Sequence, residues 1–137
     1  MYMNLVFVGN LGDQPEMRYT PDGTPVTNFS VAVNRKWNNS DGSQGEETIW
    51  LRCTAWRKTA EVVNQYLSKG RQVLVEGRLN PDRETGGPRV YQRNDGSPGA
   101  SYEVTVETIK FLGSAQGGNG STQEAVPVSF EEDAIPF

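Results

Sequence analysis

Between Thr48 and Arg57 the chain reads Thr-Ile-Trp-Leu-Arg-Cys-Thr-Ala-Trp-Arg. With the two-residue period of a β-strand, Ile49, Leu51, Cys53 and Ala55 fall on one face, and Trp50, Arg52, Thr54 and Trp56 on the other. The aliphatic face is a core face. The opposite face sets two indoles around a guanidinium, which core packing does not require. Indole and guanidinium planes in a row can stack flat aromatic rings and hold the anions between them. The competing reading is a strand covered on both sides, with both tryptophans packed in a core or a subunit interface.

The same mixture recurs elsewhere. Trp37 follows Arg35 and Lys36; Arg57 and Lys58 follow Trp56; Tyr91 lies between Arg89 and Arg93. Stacking contributes about 1–3 kcal/mol per base and tolerates any base. The implied chemistry is stacking of unpaired bases on Trp37, Trp50, Trp56 and Tyr91. Phosphate contacts would come from Arg35, Lys36, Arg52, Arg57, Lys58, Arg89 and Arg93. Trp37 has core-face parity if its strand stays regular, so packing under the adjacent loop is an equal alternative for that residue.

Other chemistries lack their parts. The chain has no His and one cysteine, Cys53, which argues against a zinc site, a His-dependent triad and an internal disulfide. No catalytic residue, metal ligand or cofactor is assigned. Glu46-Glu47 is an acidic pair beside a polar loop with nothing to complete an active site. No apolar run has membrane-spanning length, and no secretory leader pattern opens the chain. A cytoplasmic, nucleoid-associated setting is the expectation.

The elements that must position these groups are short strands. Met3–Leu11 is apolar on both alternating sets, as for a strand deep in a barrel or partly at a subunit interface; Gly9 and Gly12 mark bends or close backbone approach. Asp22-Gly23 signals a hairpin into a second strand, Val26 to Trp37, with Phe29, Val31 and Val33 on its core face. A polar loop over 38–45 leads to the strand Glu46–Trp56. Thr59–Leu67 is the one predicted helix, with Thr59 as N-cap, Glu61 near its start and Ala60, Val63, Tyr66 and Leu67 on its buried face. Gln72–Leu79 and Ser101–Phe111 are further strands. Between them a long excursion over 80–100 carries Arg89-Val90-Tyr91-Gln92-Arg93 as one arm of a projecting hairpin. The expected fold class is all-β with one helix: a five-stranded OB-fold barrel plus a disordered C-terminal tail. The domain boundary falls between residues 1–112 and 113–137.

Net charge of −4 argues against a polyanionic ligand until its distribution is followed. Residues 1–112 hold 13 basic and 13 acidic groups; the whole excess lies in Glu124, Glu131, Glu132 and Asp133. A neutral body can carry a positive groove. The chain ends Phe130-Glu131-Glu132-Asp133-Ala134-Ile135-Pro136-Phe137. A solvating acidic tail does not account for a terminal aromatic. A docking peptide does: Phe137 fills an apolar pocket on a partner, its carboxylate meets an arginine, and Glu131, Glu132 and Asp133 meet a basic rim, with Ile135 and Pro136 alongside.

These residues resemble the bacterial single-stranded DNA-binding proteins. The resemblance rests on Leu5–Gly12, Pro15–Tyr19, Trp50 with Arg52 and Trp56, Ala60-Glu61 through Lys69-Gly70, Val73–Gly77 and the tip Asp133–Phe137. It implies base stacking at Trp37, Trp50 and Trp56 and phosphate contact at Arg52, Lys58 and Lys69. It further implies a homotetramer with first-strand pairing in the dimer. The implied role is coating single strands in DNA replication, recombination and repair, with repair and replication enzymes as partners through the tail. The chain departs from the family pattern over 80–100, where Asn80-Pro81-Asp82 and Glu84 intervene; the aromatic role there goes to Tyr91. An OB module for oligosaccharide or structured RNA is the alternative, and it leaves the tail without a purpose.

Overall fold

A computed structural model describes residues 1–113. Along the chain run β1 (Leu5–Leu11), β2 (Glu16–Tyr19), β3 (Pro25–Asn38), β4 (Gln44–Trp56), α1 (Arg57–Tyr66), β5 (Gln72–Asn80), β6 (Arg89–Gln92) and β7 (Pro98–Phe111). The sheet order is β1-β5-β7-β4-β3-β2, and β1 also pairs with β3. That extra pairing closes β1, β5, β7, β4 and β3 into a five-stranded barrel, as expected. β2 flanks β3 outside the barrel, and among the described residues β6 pairs only with β7. The β4–β7 pair is parallel, from Leu51↔Tyr102 to Thr54↔Thr105; the other pairs are antiparallel.

Period-two alternation builds the core, with one change of parity in β7 between Val106 and Ile109, where the register to β5 shifts. Phe7, Leu11, Phe29, Val31, Leu51, Cys53, Ala55, Val73, Val75, Val104, Val106, Ile109 and Phe111 point inward and are buried. Ala60, Val63 and Leu67 add the apolar face of α1. Thr27 is a buried polar member of this interior. Its hydroxyl donates to the Ala60 carbonyl at 2.8 Å, tying the helix to β3.

The closing seam between β1 and β3 is short: Asn10↔Ala32 and Leu11↔Val31. The Gly12 amide extends it by donating to the Ser30 carbonyl at 2.9 Å. Gly9 permits the approach, since a Cβ there would meet Val31 Cγ1 at 2.7 Å and the Ala32 carbonyl closer still.

Three hairpin tips repeat one turn. Asp22-Gly23-Thr24, Asp41-Gly42-Ser43 and Asp95-Gly96-Ser97 each place the glycine at φ near +90° (90°, 90° and 89°), the left-handed conformation of a type I turn with a G1 bulge. In the second and third, the carboxylate accepts the backbone N–H of the serine two residues on, at 2.9 Å each. These bonds hold the Asp22, Asp41 and Asp95 carboxyls below their ordinary pKa, chiefly through hydroxyl donors: Thr20 for Asp22, Ser43 for Asp41 and Ser97 for Asp95.

Several sequence expectations are corrected. The helix starts at Arg57 rather than Thr59, and Trp56 is its N-cap residue with no side-chain cap. Strand β4 runs directly into the helix because Arg57 adopts φ 55°, a left-handed backbone unusual outside glycine. Glu61 therefore lies beyond the first turn. Val6 and Val8 on β1 are exposed on the barrel exterior of the single chain, which removes the reading of a strand deep in the barrel and leaves that of a strand partly at a subunit interface. Ile49 is exposed past the end of the core. Tyr66 is half-exposed at the helix end and tilts against Phe111, with ring centroids 6.2 Å apart. The expected tail and its boundary at 113–137 lie almost wholly outside the described residues.

Candidate nucleic-acid interface

Register decides which side chains share a face. Along the β3–β4 ribbon, Trp50 pairs with Ala32, Arg52 with Ser30, Thr54 with Asn28 and Trp56 with Val26. All eight share the outward parity of the ribbon, and all but Val26, which is buried, lie open or half-open there. The small partners Ala32 and Ser30 leave Trp50 and Arg52 standing above the sheet. Trp50 is 53% exposed and Trp56 40% exposed. Trp50 and Arg52 are two residues apart on the strand, about 7 Å. Asn28 is held in plane by two hydrogen bonds: it donates to Thr54 Oγ1 at 3.0 Å and accepts from Arg18 Nη2 at 2.9 Å.

The parallel pairing with β7 extends this face sideways. Arg52 lies beside Glu103 and Thr54 beside Thr105. β6 continues it, with Arg89 opposite Ser101 and Tyr91 opposite Gly99. The Trp50–Arg52–Trp56 row and the Arg89–Tyr91 arm thus occupy one side of a continuous sheet. Tyr91 lies between its two arginines, each guanidinium carbon 5.9 Å from the ring centroid. Arg93 also donates to the Pro98 carbonyl.

Trp37 and Arg35 have the other parity. Trp37 pairs with Gly45 and Arg35 with Glu47, in line with the core residues Val31 and Leu51 but beyond the barrel end. The Arg35 guanidinium stacks 4.9 Å over the Trp37 ring and pairs with Glu47 at 3.1 Å. The indole N–H donates to Asn39 Oδ1 at 3.0 Å. This aromatic is fastened into the β3–β4 tip and still 37% exposed. Lys36 returns to the Trp50 side, opposite Glu46. Lys58 is exposed in the first turn of α1. Lys69 sits at the turn into β5, its backbone N–H 3.4 Å from Gln14 Oε1. Among the described residues Lys36, Arg57, Lys58, Lys69 and Arg93 form no ion pair.

Two kinds of residue were missed at the sequence level. The first are glycines under the aromatic rings. A Cβ on Gly12 would lie 2.9 Å from Trp50 Cη2, one on Gly45 2.5 Å from Trp37 Cζ2, and one on Gly99 2.8 Å from Tyr91 Cζ. Each ring rests on bare backbone, which fixes one side of it. Local sequence signals mark Gly12 as a bend or close backbone approach and Gly45 as a loop residue, and neither as the seat of a ring. The second is Glu103. Its Oε2 lies 3.8 Å from Arg52 Nε and 3.8 Å from Arg89 Nη1 and accepts from Ser101 Oγ at 2.7 Å. No local pattern signals it, because the β4–β7 register that brings it to Arg52 is a long-range pairing.

Cys53, beneath Arg52, is buried and reduced. Burial, reinforced by the Glu103 charge, pushes its thiol far above the ordinary value, so it stays protonated. Among the described residues no cluster of three or more His, Cys, Asp or Glu is arranged to hold a metal, and no helix is long and apolar enough to cross a membrane.

A five-stranded barrel with a helix between its third and fourth strands, carrying aromatics and arginines on an open face, defines an OB-fold binding module. More narrowly, the chain belongs to the Single-strand binding protein family, which it matches over residues 3–112. It is 39% identical over 116 residues to a single-stranded DNA-binding protein of Neisseria meningitidis, covering 85% of this chain and 63% of that one. It is 39% identical over 122 residues to single-stranded DNA-binding protein 3 of Listeria innocua, covering 89% and 71%. The chain thus spans less than two thirds of the Neisseria relative. Among solved structures, a Plasmodium falciparum SSB complex with ssDNA superposes with a TM-score of 0.67 at 24% identity, covering 82% of this chain and 97% of that one. The small single-stranded DNA-binding protein of Streptomyces coelicolor gives 0.65 at 24% identity, covering 80% and 94%. These two likenesses concern the fold.

Proposed function

We propose that the protein binds single-stranded DNA without sequence preference and has no catalytic step. The observation that carries this is the outward row Trp50–Arg52–Trp56, joined across β7 to Arg89 and Tyr91. Indoles and a phenol offer faces that any unpaired base can stack on, while duplex DNA hides those faces. Arg52, Arg57, Lys58, Lys69, Arg89 and Arg93 supply phosphate contacts, with Arg35 and Lys36 at the ribbon tip. Trp37 serves as an outlying stacking site, because its exposed part lies at the tip rather than in the central row. The family's name and those of the relatives support this reading.

Residues 1–112 form the DNA-binding domain in this reading, consistent with the extent of the family match. Residues 113–137 carry the docking peptide, with Glu131, Glu132, Asp133, Ile135, Pro136 and Phe137 meeting replication and repair enzymes. The cellular role is protection of single strands in replication, recombination and repair, in the cytoplasm at the nucleoid. The assembly is a homotetramer. Exposed Val6 and Val8 support the use of β1 as a subunit contact.

Titration with oligo-dT at low salt tests the binding. Tryptophan fluorescence is expected to fall steeply, and affinity to drop with salt at a log–log slope of about −0.7 per phosphate contacted. Unchanged fluorescence, or a flat salt response, refutes the reading.

A further inference from the structure

The arginines best placed on the binding face are not bare. Of the four ion pairs among the described residues, two converge on one atom, Oε2 of Glu103. Arg52 reaches it from β4 and Arg89 from β6, both at 3.8 Å. That is ion-pair range but too long for a hydrogen bond. The same oxygen accepts a 2.7 Å hydrogen bond from Ser101, its neighbour on the same face of β7. The carboxylate is therefore anchored by its own strand. It is also the less exposed partner: the Glu103 side chain is 20% exposed, against 51% for Arg52 and 56% for Arg89. An anion bonded to its own strand sits on the sheet, and two more exposed cations lean over it.

We propose that Glu103 is an internal competitor for phosphate: it occupies Arg52 and Arg89 in the strand-free protein, and a DNA phosphate must draw both away. The inference rests on the proposed DNA binding and deepens it by assigning this carboxylate a role in setting affinity and release. A phosphate bridging the two guanidiniums lies within several ångströms of Glu103 and is repelled by it. The carboxylate cannot follow the arginines outward, because Ser101 and the strand hold it. The three charges sum to +1 at this point of the groove instead of +2. The result is weaker binding than the arginine count implies, and easier release of the strand. Arg93, with no carboxylate partner among the described residues, and Arg35, paired with Glu47 on the other parity, lie outside this device.

Glu103→Gln removes the charge and keeps an oxygen for the Ser101 hydroxyl. It is tested by oligo-dT titration of the full chain over a salt series, with dissociation followed by stopped-flow. The expected result is binding tighter by about three- to tenfold at low salt, scaled for a like-charge contact at a hydrated surface. Dissociation slows, and the salt slope steepens by up to about 0.7, one phosphate's worth. In an Arg52→Ala/Arg89→Ala background the same change gains less than half as much, because the competitor then has nothing to occupy. Glu103→Thr, neutral and strand-favouring, is the second variant should the first fail to fold, and it must move affinity and slope in the same direction. Unchanged or weaker binding by a folded variant, with the wild-type protein binding normally, overturns this inference alone. Weaker binding would mean that Glu103 orients the arginines rather than competing for them. No binding by the wild-type protein overturns both the inference and the function beneath it.

Discussion

Gly12→Ala separates the binding surface from the fold. The new methyl would lie 2.9 Å from Trp50 Cη2 and closer to the ring edge at Cζ3. Carbon–carbon contacts settle at about 3.5–4.0 Å, so the indole must move by about 1 Å. It has room, being 53% exposed. Gly12 does not need a positive φ, so the backbone accepts alanine. Stability should therefore stay within about 0.5–1 kcal/mol of the parent. Binding should suffer more. A complete stacked base contributes about 1–3 kcal/mol, and a displaced ring retains part of it, so the loss should be about 1 kcal/mol, or fivefold in Kd. The contrast is Gly9→Ala, whose methyl meets the Ala32 carbonyl and Val31 at the barrel seam. Backbone cannot step aside, and the cost should reach about 1–3 kcal/mol of stability. Denaturant midpoints and oligonucleotide titrations of both variants, with Gly12→Ala repeated in a Trp50→Ala background, make the measurement. The reasoning fails if Gly12→Ala leaves affinity unchanged, or weakens it equally when Trp50 is already alanine.

Three further outcomes follow from the structure. Arg57→Gly should be more stable than Arg57→Ala by about 1 kcal/mol in denaturant, because φ 55° is a glycine conformation; equal midpoints would mean no strain there. Because burial raises the Cys53 pKa, only the unfolded chain loses that proton near pH 9, so stability should decline as pH rises above about 8.5. Cys53→Ala should flatten that decline in alkaline melts, and an unchanged slope would assign it to other groups. Deleting Ile135-Pro136-Phe137 should leave oligo-dT affinity intact and abolish capture of replication and repair enzymes on an affinity resin; undiminished capture would refute the docking role.

What the sequence made legible was whatever alternates locally. Trp50, Arg52 and Trp56 could be put on one face because they lie on a single regular strand, and Arg89 and Tyr91 likewise. Whether those two groups meet depends on β7, whose parallel partnership with β4 leaves no mark in a short window. Glu103 was invisible for the same reason. Ile49 has core parity, yet the barrel ends near the Leu51–Tyr102 pair and leaves it outside. The helix start was read two residues late because no propensity favours an arginine in left-handed backbone. For Trp37 the structure shows packing at the ribbon tip on Gly45 with the ring partly open.

The seam between β1 and β3 joins the barrel through two residue pairs and one following amide. That amide belongs to Gly12, the residue on which Trp50 rests. The joint and the stacking platform therefore share a hinge pin. In the proposed binding mode a strand stacked on Trp50 would press the ring onto the clasp, and a barrel that springs open there would lose its platform at the same moment. Ligand and closure thus secure one another, so single-strand occupancy should itself resist the first breach of the fold.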